Sequence, residues 1–205
     1  MESQWRQQIP TDANLHVGHR AAMDFMPYQL DPAKLSLQRP RQRILIADTV
    51  GLGKTLEAGI LMSELIARGK GKRILVVTVK SMMTQFQKEM WNRFTIPLVR
   101  LDSSRIQKIR ASLPSNYNPF FYYDKTIVSI DTLKRDVEYR THLENAYWDI
   151  IVIDEAQNVA ERGDHQAQRS RLAKLLANRS DTMIMLSATP HDGRAKSFAS
   201  LMNML

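Results

Sequence analysis

Residues 44–55 read ILIADTVGLGKT, a short apolar run that enters a glycine-rich turn and then a segment with helical periodicity. Gly51 and Gly53 allow the backbone to bend so that its N–H groups point towards phosphate oxygens, and the N-terminus of the following helix adds to this anion site. In such a loop the ammonium of Lys54 would lie against the β- and γ-phosphates, and the hydroxyl of Thr55 would ligate Mg²⁺. The stretch therefore predicts a phosphate-binding loop between a strand and a helix.

This motif is specific despite its short length. Because glycine makes up about 7% of residues in proteins, chance matches to G-x-G-K-[ST] in a chain of this size come to about 1%. The competing interpretation is a tight strand–helix turn with an exposed lysine. The strict phosphate-loop pattern has glycine where Asp48 stands, and this departure helps to narrow the family.

Short runs rich in Ile, Val or Leu recur along the chain without strict polar alternation. Such runs are typical of strands that are buried on both faces of a parallel sheet. We predict strands at residues 44–47, 74–79, 126–130, 150–153 and 183–186, and a sixth at 98–101. Apolar residues at a period close to 3.6 predict helices at residues 55–68, 82–94 and 166–177. The alternation predicts an α/β fold in three layers, a mainly parallel sheet with helices on both faces.

A second polar motif follows one of the buried strands. Residues 149–157 read DIIVIDEAQ, so Asp154 and Glu155 come directly after an apolar run. Ligands of open α/β sheets bind at the carboxyl ends of the strands, where the phosphate loop also opens. Asp154 would hold Mg²⁺ directly or through water, and Glu155 would orient and deprotonate an attacking water. The alternative is a helix N-cap whose acids are favoured by the helix dipole, and the phosphate loop elsewhere in the chain makes that alternative weaker.

Composition limits the class of protein. The chain has 205 residues, enough for one domain with a sizeable core, and its lack of cysteine excludes disulfides and thiolate metal sites. No apolar run approaches the roughly 20 residues that a membrane helix needs, and residues 1–10 lack the apolar core of a secretion signal. We expect a cytoplasmic protein without a membrane partner. The formal net charge of +8 favours a polyanionic partner, although many basic domains bind no nucleic acid.

Six stretches resemble the motifs of Swi/Snf-type ATPases, a group within helicase superfamily 2. The usual form of motif I there is D-E-x-G-L-G-K-T, in which Asp48 is the normal residue. In chain order, the stretches are PYQL at 27–30 (the glutamine motif that reads adenine), 48–55 (motif I), 77–89 (motif Ia), 128–134 (motif Ib), DEAQ at 154–157 (motif II) and SATP at 187–190 (motif III). The resemblance covers the chain from about residue 25 to residue 205. The run GLGKTLEAG at residues 51–59 is most similar to the bacterial RNA-polymerase-associated (RapA-like) branch.

The resemblance implies a RecA-like P-loop lobe that binds ATP and Mg²⁺ and couples hydrolysis to movement on double-stranded DNA or to the remodelling of protein–DNA complexes. The implied ATP-binding residues are Tyr28, Gln29, Asp48, Thr49, Val50, Gly51, Leu52, Gly53, Lys54 and Thr55. The implied metal-binding residues are Thr55 and Asp154, the catalytic residues Lys54, Glu155 and Gln157, and the coupling residues Ser187, Ala188 and Thr189. The candidates for nucleic-acid contacts are Lys80, Ser81, Asp131, Thr132 and Lys134.

Two residues depart from the family pattern. Thr49 replaces the usual glutamate of motif I, and the sequence assigns no consequence to this change. Gln157 replaces the usual histidine of motif II. Glutamine still hydrogen-bonds towards the γ-phosphate or motif III, but it cannot titrate near neutral pH.

Motors of this family have two lobes, and the second supplies arginines that stabilise the transferring phosphoryl group. We therefore expect a lead-in at residues 1–24, the N-terminal lobe at residues 25–205, and a second lobe elsewhere in a longer protein. The isolated lobe should bind ATP but hydrolyse it slowly. Membership of the RapA-like branch would also imply a nucleoid-associated bacterial protein. Two alternatives stay open, the motor of a restriction or phage-defence system and a non-hydrolysing nucleotide-binding module.

Other features have simpler structural explanations. We interpret the basic residues within 39–43 and 68–73 as solvated turns, and residues 166–171 as the solvated face of a helix. The aromatic residues within 114–124 are expected to pack against the core rather than to stack on bases. Trp91 is also expected in the core. The histidines show no metal-ligand spacing, although His191 follows motif III.

Overall fold

The computed structural model describes residues 9–17, 26–48, 51–135, 137–160, 167–189 and 195–205. Six parallel strands form one sheet in the order β1-β6-β5-β2-β4-β3. They are β1 (Arg43–Ala47), β2 (Ile74–Thr78), β3 (Val99–Leu101), β4 (Lys125–Ser129), β5 (Trp148–Ile153) and β6 (Ser180–Ser187). All six predicted strands are confirmed with small shifts at their ends. Ile130, predicted as the last residue of a strand, instead begins a helix.

Neighbouring residues of each strand face opposite sides of the sheet, and both sides are buried. In β2, Ile74 and Val76 belong to one apolar cluster, whereas Leu75 and Val77 belong to another. Since successive side chains of a strand point in opposite directions, one continuous apolar run fills two cores. This is the physical reason for the missing polar alternation in the sequence.

Helices cover both faces of the sheet, which confirms the three-layer α/β fold. On the face of Ile74 lie α1 (Asp31–Leu37), α2 (Lys54–Ala67) and α3 (Met83–Phe94). On the other face lie α4 (Ser103–Ser112), α5 (Ile130–Arg135), α6 (Val137–Glu144), α7 (Ala167–Ala177) and α8 (Ala195–Met202). The predicted helices α2, α3 and α7 are confirmed. The remaining five were not predicted because they are short: α4, for example, buries only Ile106 and Ile109, too few apolar residues to show a period.

Gly59 sets the close approach of α2 and α3. A Cβ atom added at Gly59 would lie 2.1 Å from the ring of Phe94 at the end of α3. Any larger residue would therefore require the ring of Phe94 to move. This contact fixes α3 beside the helix that begins at the phosphate loop.

Three arginines at the amino ends of the strands are structural, which corrects the prediction of solvated turns. The guanidinium of Arg73 lies 4.0 Å from the ring centroid of Phe121 and donates to the carbonyl of Phe120 at 3.2 Å. Burial lowers the pKa of Arg73. Arg43, also half-buried, donates to the carbonyls of Ala177, Ser180 and Met204.

The third arginine, Arg68, helps to hold residues 9–17 against α2. Its side chain is 8% exposed and donates to the carbonyls of Pro10, Asp12 and Asn14. The fully buried carboxylate of Glu64 accepts the backbone N–H groups of His16 and Val17, both at 2.7 Å. Glu64 of α2 and Arg68, which directly follows that helix, therefore hold residues 9–17 in place.

Two predictions about aromatic residues are wrong in part. Trp91 is 57% exposed on α3 and does not lie in the core, whereas Met83 and Met90 on the same helix are buried. In the aromatic loop Phe120 is buried, and its ring meets that of Tyr139 edge-on. Tyr117 and Tyr122 are exposed instead. No helix within the described ranges has both the length and the apolar character that crossing a membrane requires.

Candidate nucleotide and nucleic-acid site

The phosphate loop bends through two glycines with positive φ. Gly51 and Gly53 both have φ of 94°, a region that costs other residues about 1–2 kcal/mol. Gly53 is required for a second reason, since a Cβ there would lie 2.5 Å from Nε2 of Gln29. The turn opens α2 at Lys54, whose ammonium donates to the carbonyl of Asp48 at 2.7 Å. Thr49 and Val50 lie outside the described residues.

The glutamine motif is hydrogen-bonded to this loop. Pro27–Leu30 form a 3₁₀ turn in which Gln29 is 6% exposed. Its Nε2 donates to the carbonyl of Leu52 at 3.0 Å, and its Oε1 accepts the N–H of Met26 at 2.9 Å. The hydroxyl of Tyr28 donates to the same carbonyl at 3.3 Å. An amide group has two N–H donors and two acceptor sites, so these two bonds use one donor and one acceptor site of Gln29.

Asp154 follows β5 at the carboxyl edge of the sheet. Its N–H donates to the carbonyl of Val77 at 2.9 Å, and its Oδ2 accepts the hydroxyl of Thr78 at 2.7 Å. Burial raises the pKa of Asp154, and the neighbouring charge of Glu155 acts in the same direction. A carboxyl group in this setting gains from a nearby cation, because the cation offsets the cost of burying its charge.

Glu155 has a left-handed backbone, with φ of 53° and ψ of 48°. A non-glycine residue in this region costs about 1–2 kcal/mol. The turn redirects the chain from β5 into the 3₁₀ turn Ala156–Asn158. The sequence carried no signal for this conformation.

Gln157 connects the acidic motif to the end of β6. Its Nε2 donates to Oε2 of Glu155, and its Oε1 accepts the hydroxyl of Ser187 at 2.8 Å. One amide therefore links the hydroxyl of Ser187 to the carboxylate of Glu155. Of the other two residues predicted for coupling, Ala188 lines the cavity described next and Thr189 is exposed. The residues after Thr189, including Pro190 and His191, lie outside the described part until Ala195.

A cavity of about 280 Å³ joins the predicted site residues. Its lining includes Gly51, Gly53, Lys54, Thr55, Asp154, Glu155 and Ala188. The sequence reasoning missed the other wall, to which α3 contributes Gln85, Glu89 and Arg93. Their spacing of four residues places them on one face of α3, which is a usable signal only once α3 is known to lie beside the phosphate loop.

The donor set suits Mg²⁺ held together with phosphate oxygens. Thr55 and Asp154 offer hydroxyl and carboxylate oxygens, the ligand type that Mg²⁺ prefers. The described residues contain no group of three or more His, Cys, Asp or Glu side chains arranged to hold a metal. Mg²⁺ sites of nucleotide-binding proteins use one or two protein oxygens and complete the shell with phosphate and water, so the residues present fit the ion.

A further buried carboxyl group lies on α2 near the loop. Glu57 is 1% exposed, and neither of its carboxyl oxygens has a hydrogen-bond partner among the described residues. Burial, together with the negative charge of Asp48, raises its pKa from 4.5 to about 7. Asp48 and Glu57 therefore form an acidic pair behind the phosphate loop, which the sequence analysis did not identify.

The nucleic-acid candidates lie at the same carboxyl edge of the sheet. Lys80 and Ser81 follow β2 and are exposed. Asp131 pairs with Lys134 at 2.8 Å and with Arg169 of α7 at 2.7 Å, and the hydrogen bond from Lys134 lowers its pKa. Thr132 bonds to the hydroxyl of Ser129. Arg169, which the sequence analysis placed on a solvated helix face, in fact joins α7 to this edge.

The fold and the site together define a RecA-like P-loop nucleotide-binding lobe. A protein-family model described as the SNF2-related domain matches residues 28–205. The chain belongs to this family, the Swi/Snf-type group of helicase superfamily 2.

Similar proteins agree with this assignment. RNA polymerase-associated protein RapA of Sodalis glossinidius (strain morsitans) is 35% identical over 185 residues, which are 90% of this chain and 19% of that protein. RapA of Yersinia enterocolitica is 34% identical over the same coverage. The chain thus spans about a fifth of the length of these curated relatives.

Solved structures show the same fold. The SWI2/SNF2 ATPase core of Sulfolobus solfataricus in complex with dsDNA aligns with a TM-score of 0.72 and 24% identity, over 94% of this chain and 38% of that one. The Hef helicase domain of Pyrococcus furiosus aligns with a TM-score of 0.65 and 20% identity, over 87% of this chain and 35% of that one.

Proposed function

We propose that residues 25–205 form the ATP-hydrolysing first lobe of a DNA-dependent motor. Hydrolysis would drive movement on double-stranded DNA or the remodelling of protein–DNA complexes. One observation carries the proposal: the pair Lys54 and Thr55 and the pair Asp154 and Glu155, which are far apart in the chain, line one cavity. A module that binds a nucleotide without hydrolysing it would not need a carboxylate such as that of Glu155 beside the phosphate loop.

Binding would use the loop and the glutamine motif. The N–H groups at the start of α2 and the ammonium of Lys54 would hold the phosphates. Gln29 would read the adenine edge, with Tyr28 beside it. Thr55 and Asp154 would hold Mg²⁺, which neutralises charge on the phosphates when bound.

The hydrolytic step would depend on Glu155. Its carboxylate would orient a water molecule for attack on the γ-phosphate and accept a proton from it. Gln157 holds that carboxylate and the hydroxyl of Ser187 at the same time. We propose that nucleic-acid binding shifts Ser187 and, through Gln157, sets the position of Glu155.

The nucleic acid would run along the carboxyl edge of the sheet. Lys80 and Ser81 after β2 are exposed there, and the N-terminal turn of α5 offers backbone N–H groups that suit phosphates. The SWI2/SNF2 core from Sulfolobus solfataricus was solved with dsDNA, which supports duplex DNA as the partner. The Asp131–Lys134–Arg169 ion pairs would orient this edge rather than contact DNA with all three side chains.

A second RecA-like lobe would complete the catalytic site. Cations from a facing lobe accelerate related NTPases by about 10³–10⁵, so this lobe alone should bind ATP and turn it over slowly. The similarity to RapA proteins, of which the chain matches about a fifth, supports a longer cytoplasmic protein that works at the nucleoid.

The test is ATP turnover by the full-length protein that carries this lobe, with duplex DNA, single-stranded DNA, RNA or no nucleic acid. Lys54→Ala should abolish turnover. Lys72→Ala, which removes an exposed lysine from the opposite edge of the sheet, is the matched control and should leave turnover unchanged.

Strong stimulation by duplex DNA that Lys54→Ala removes and Lys72→Ala retains is the expected result. Stimulation by RNA or single strands alone would overturn the duplex-DNA part of the proposal. Absence of turnover with every nucleic acid, despite ATP binding, would leave a nucleotide-binding module.

A further inference from the structure

A basic hollow lies at the carboxyl end of β3, the outermost strand on one side of the sheet. This β3 hollow has a volume of about 400 Å³. It is lined by Arg100, Asp102, Ser104, Arg105 and Lys108, so every lining residue is polar. None of them lines the nucleotide cavity, and the proposed function gives them no role.

The cations of the β3 hollow have no carboxylate partners. Among the described residues, Arg100, Arg105 and Lys108 form no ion pair. The guanidinium of Arg105 donates to the carbonyl of Arg100 at 3.1 Å, a contact that neutralises no charge. The one carboxylate of the lining, Asp102, caps α4 and accepts the backbone N–H of Arg105 at 2.8 Å. Three cations and one carboxylate leave the hollow with a net positive charge.

The neighbouring end of β4 differs in this respect. There the carboxylate of Asp131 pairs with Lys134 at 2.8 Å and with Arg169 at 2.7 Å. A phosphate at the end of β4 would compete with that carboxylate for both cations. In the β3 hollow it would meet cations that bind no carboxylate, and charge-assisted contacts between such cations and phosphate are strong.

The β3 hollow continues the line of the proposed nucleic-acid contacts. β3 lies beside β4, and β4 lies beside β2. Because neighbouring strands are about 4.8 Å apart, the end of β3 lies about 10 Å from the end of β2, where Lys80 is exposed. On a duplex that crosses the ends of β2, β4 and β3, this distance corresponds to about three base-pair steps.

The cationic side chains of α4 are directed to the same side of the lobe. Arg105 and Lys108 belong to the first two turns of α4, which begins at the carboxyl edge of the sheet directly after β3. Side chains of a helix lean towards its N-terminus. The charges of both residues are therefore carried towards the carboxyl edge, where the nucleic acid would lie.

The chemistry of the β3 hollow suits the phosphate backbone of a duplex. Stable protein–protein interfaces have an apolar core, whereas no residue that lines the hollow is apolar. Single strands are usually held by bases that stack on aromatic rings, and the lining has no aromatic residue either. Protein–DNA interfaces, by contrast, are polar and positively charged.

We propose that the β3 hollow binds backbone phosphates of duplex DNA and extends the nucleic-acid track beyond the end of β4. This inference rests on the proposed function, which places duplex DNA along the carboxyl edge of the sheet. Arg100, Arg105 and Lys108 contact phosphates and not bases, so the hollow adds affinity without sequence preference. It also lengthens the bound segment of DNA by about three base pairs.

The first experiment measures binding of a labelled duplex to the full-length protein that carries this lobe, by fluorescence anisotropy at several salt concentrations. Each lost phosphate contact reduces the slope of log K against log salt concentration by about 0.9. Lys108→Gln should therefore reduce the slope by about 1, and Arg105→Gln combined with Lys108→Gln by about 2. The combined variant should also bind at least about fivefold more weakly at the lowest salt concentration.

A matched control removes two charges elsewhere. Lys70→Gln combined with Lys72→Gln changes two exposed lysines at the amino ends of the strands and should alter neither the affinity nor the slope. The side chain of Lys108 has no hydrogen bond or ion pair within the described ranges. Lys108→Gln alone therefore decides the outcome if Arg105→Gln lowers the melting temperature.

The second experiment varies the length of the duplex. Affinity should rise with length until every contact is covered, and the variant that combines Arg105→Gln with Lys108→Gln should reach its limit about three base pairs earlier than the wild type. Lys80→Ala, which removes a contact inside the track, should weaken binding at every length without moving this limit.

The outcomes separate this inference from the proposed function. If the combined variant kept the salt slope and the length limit of the wild type while Lys80→Ala weakened binding, the β3 hollow would be overturned and the proposed function would stand. Failure of the wild type to bind duplex DNA would overturn both. If the combined variant weakened the binding of polyglutamate or of a single strand but not of the duplex, the hollow would serve that partner and the inference would be wrong.

Discussion

The carboxyl ends and the amino ends of the strands, which form the carboxyl edge and the amino edge of the sheet, use their charged residues in different ways. At the carboxyl edge, Asp154, Glu155 and Gln157 bond to other side chains, and Asp154 and Glu155 line the cavity. At the amino edge, Arg68 and Arg73 bond to main-chain carbonyls and pack under other residues. Polar groups at the carboxyl edge are available to a ligand, whereas the arginines of the amino edge stabilise the fold through hydrogen bonds to main-chain carbonyls.

The topology explains this difference. In a parallel α/β sheet every connecting helix begins near the carboxyl edge and ends near the amino edge. Helix N-termini leave N–H groups unpaired and helix C-termini leave carbonyls unpaired. Anions are therefore favoured at one edge, and arginines, which only donate, are favoured at the other. Arg43 shows this directly, since it donates to the carbonyl of the last residue of α7, Ala177.

The largest effect that tests the contrast is expected at the carboxyl edge. Glu155→Gln keeps the shape of the side chain but removes the base, so ATP turnover of the full-length protein should fall by about 10²–10⁴. ATP binding and the melting temperature should stay close to those of the wild type. A large loss of stability would mean that Glu155 is structural, like the arginines of the opposite edge.

At the amino edge the expected effect is on stability. Arg68→Ala leaves the buried carboxylate of Glu64 without its nearby cation and frees the carbonyls of Pro10, Asp12 and Asn14. Removing one member of a buried ion pair costs about 3–5 kcal/mol. Urea unfolding should show a loss of this size, whereas Lys70→Ala, at an exposed position two residues away, should stay within about 0.5 kcal/mol of the wild type. If Arg68→Ala and Lys70→Ala lost the same amount of stability, the structural role of the amino-edge arginines would be contradicted.

Glu57 adds to this comparison because it is a buried carboxyl group near the phosphate loop, at the carboxyl edge of the sheet. Its pKa is raised to about 7 in the folded protein from an ordinary value of 4.5. Between these two pH values the folded chain retains a proton that the unfolded chain has lost. The free energy of unfolding therefore falls as the pH rises through this window and stays lower above it.

Glu57→Gln removes that pH dependence. The variant should gain about 1–2 kcal/mol relative to the wild type between pH 5 and pH 8, less than the full shift because solvent and Lys54 screen part of the charge. Urea unfolding across this range measures the difference, and Glu144→Gln, at the exposed ion pair of α6, serves as the control. If the free energies of unfolding of Glu57→Gln and the wild type differed by the same amount at every pH, the raised pKa of Glu57 would be contradicted.

The sequence predicted the parts of the molecule whose signal is local. Six strands were visible because they contain apolar runs such as residues 74–77, which are apolar at every position. The phosphate loop was visible because Gly51, Gly53 and Lys54 are neighbours in the chain. α4 and α6 were missed because each buries few apolar residues, and Trp91 was misplaced because helical spacing alone cannot tell which face of α3 meets the core.

Predictions failed where a residue's partner is distant in the chain. Arg43, Arg68 and Arg73 looked like solvated turns because their carbonyl partners come from other segments. The wall of the cavity formed by Gln85, Glu89 and Arg93 depends on the contact of Gly59 with Phe94, which no local pattern encodes. The position of β1 at the edge of the sheet required the strand order, which the sequence does not show.

The sequence by itself determined the class of fold and the family and supplied the candidate residues of the nucleotide site, because periodicity and motif chemistry act over a few neighbouring residues. Only the tertiary structure decided which charges are available and which are already satisfied. The link from Ser187 through Gln157 to Glu155, the raised pKa of Glu57 and the carbonyl partners of Arg68 all depend on distances between segments. Those distances are set by how the helices pack on a twisted sheet, a property of the whole chain rather than of any one motif.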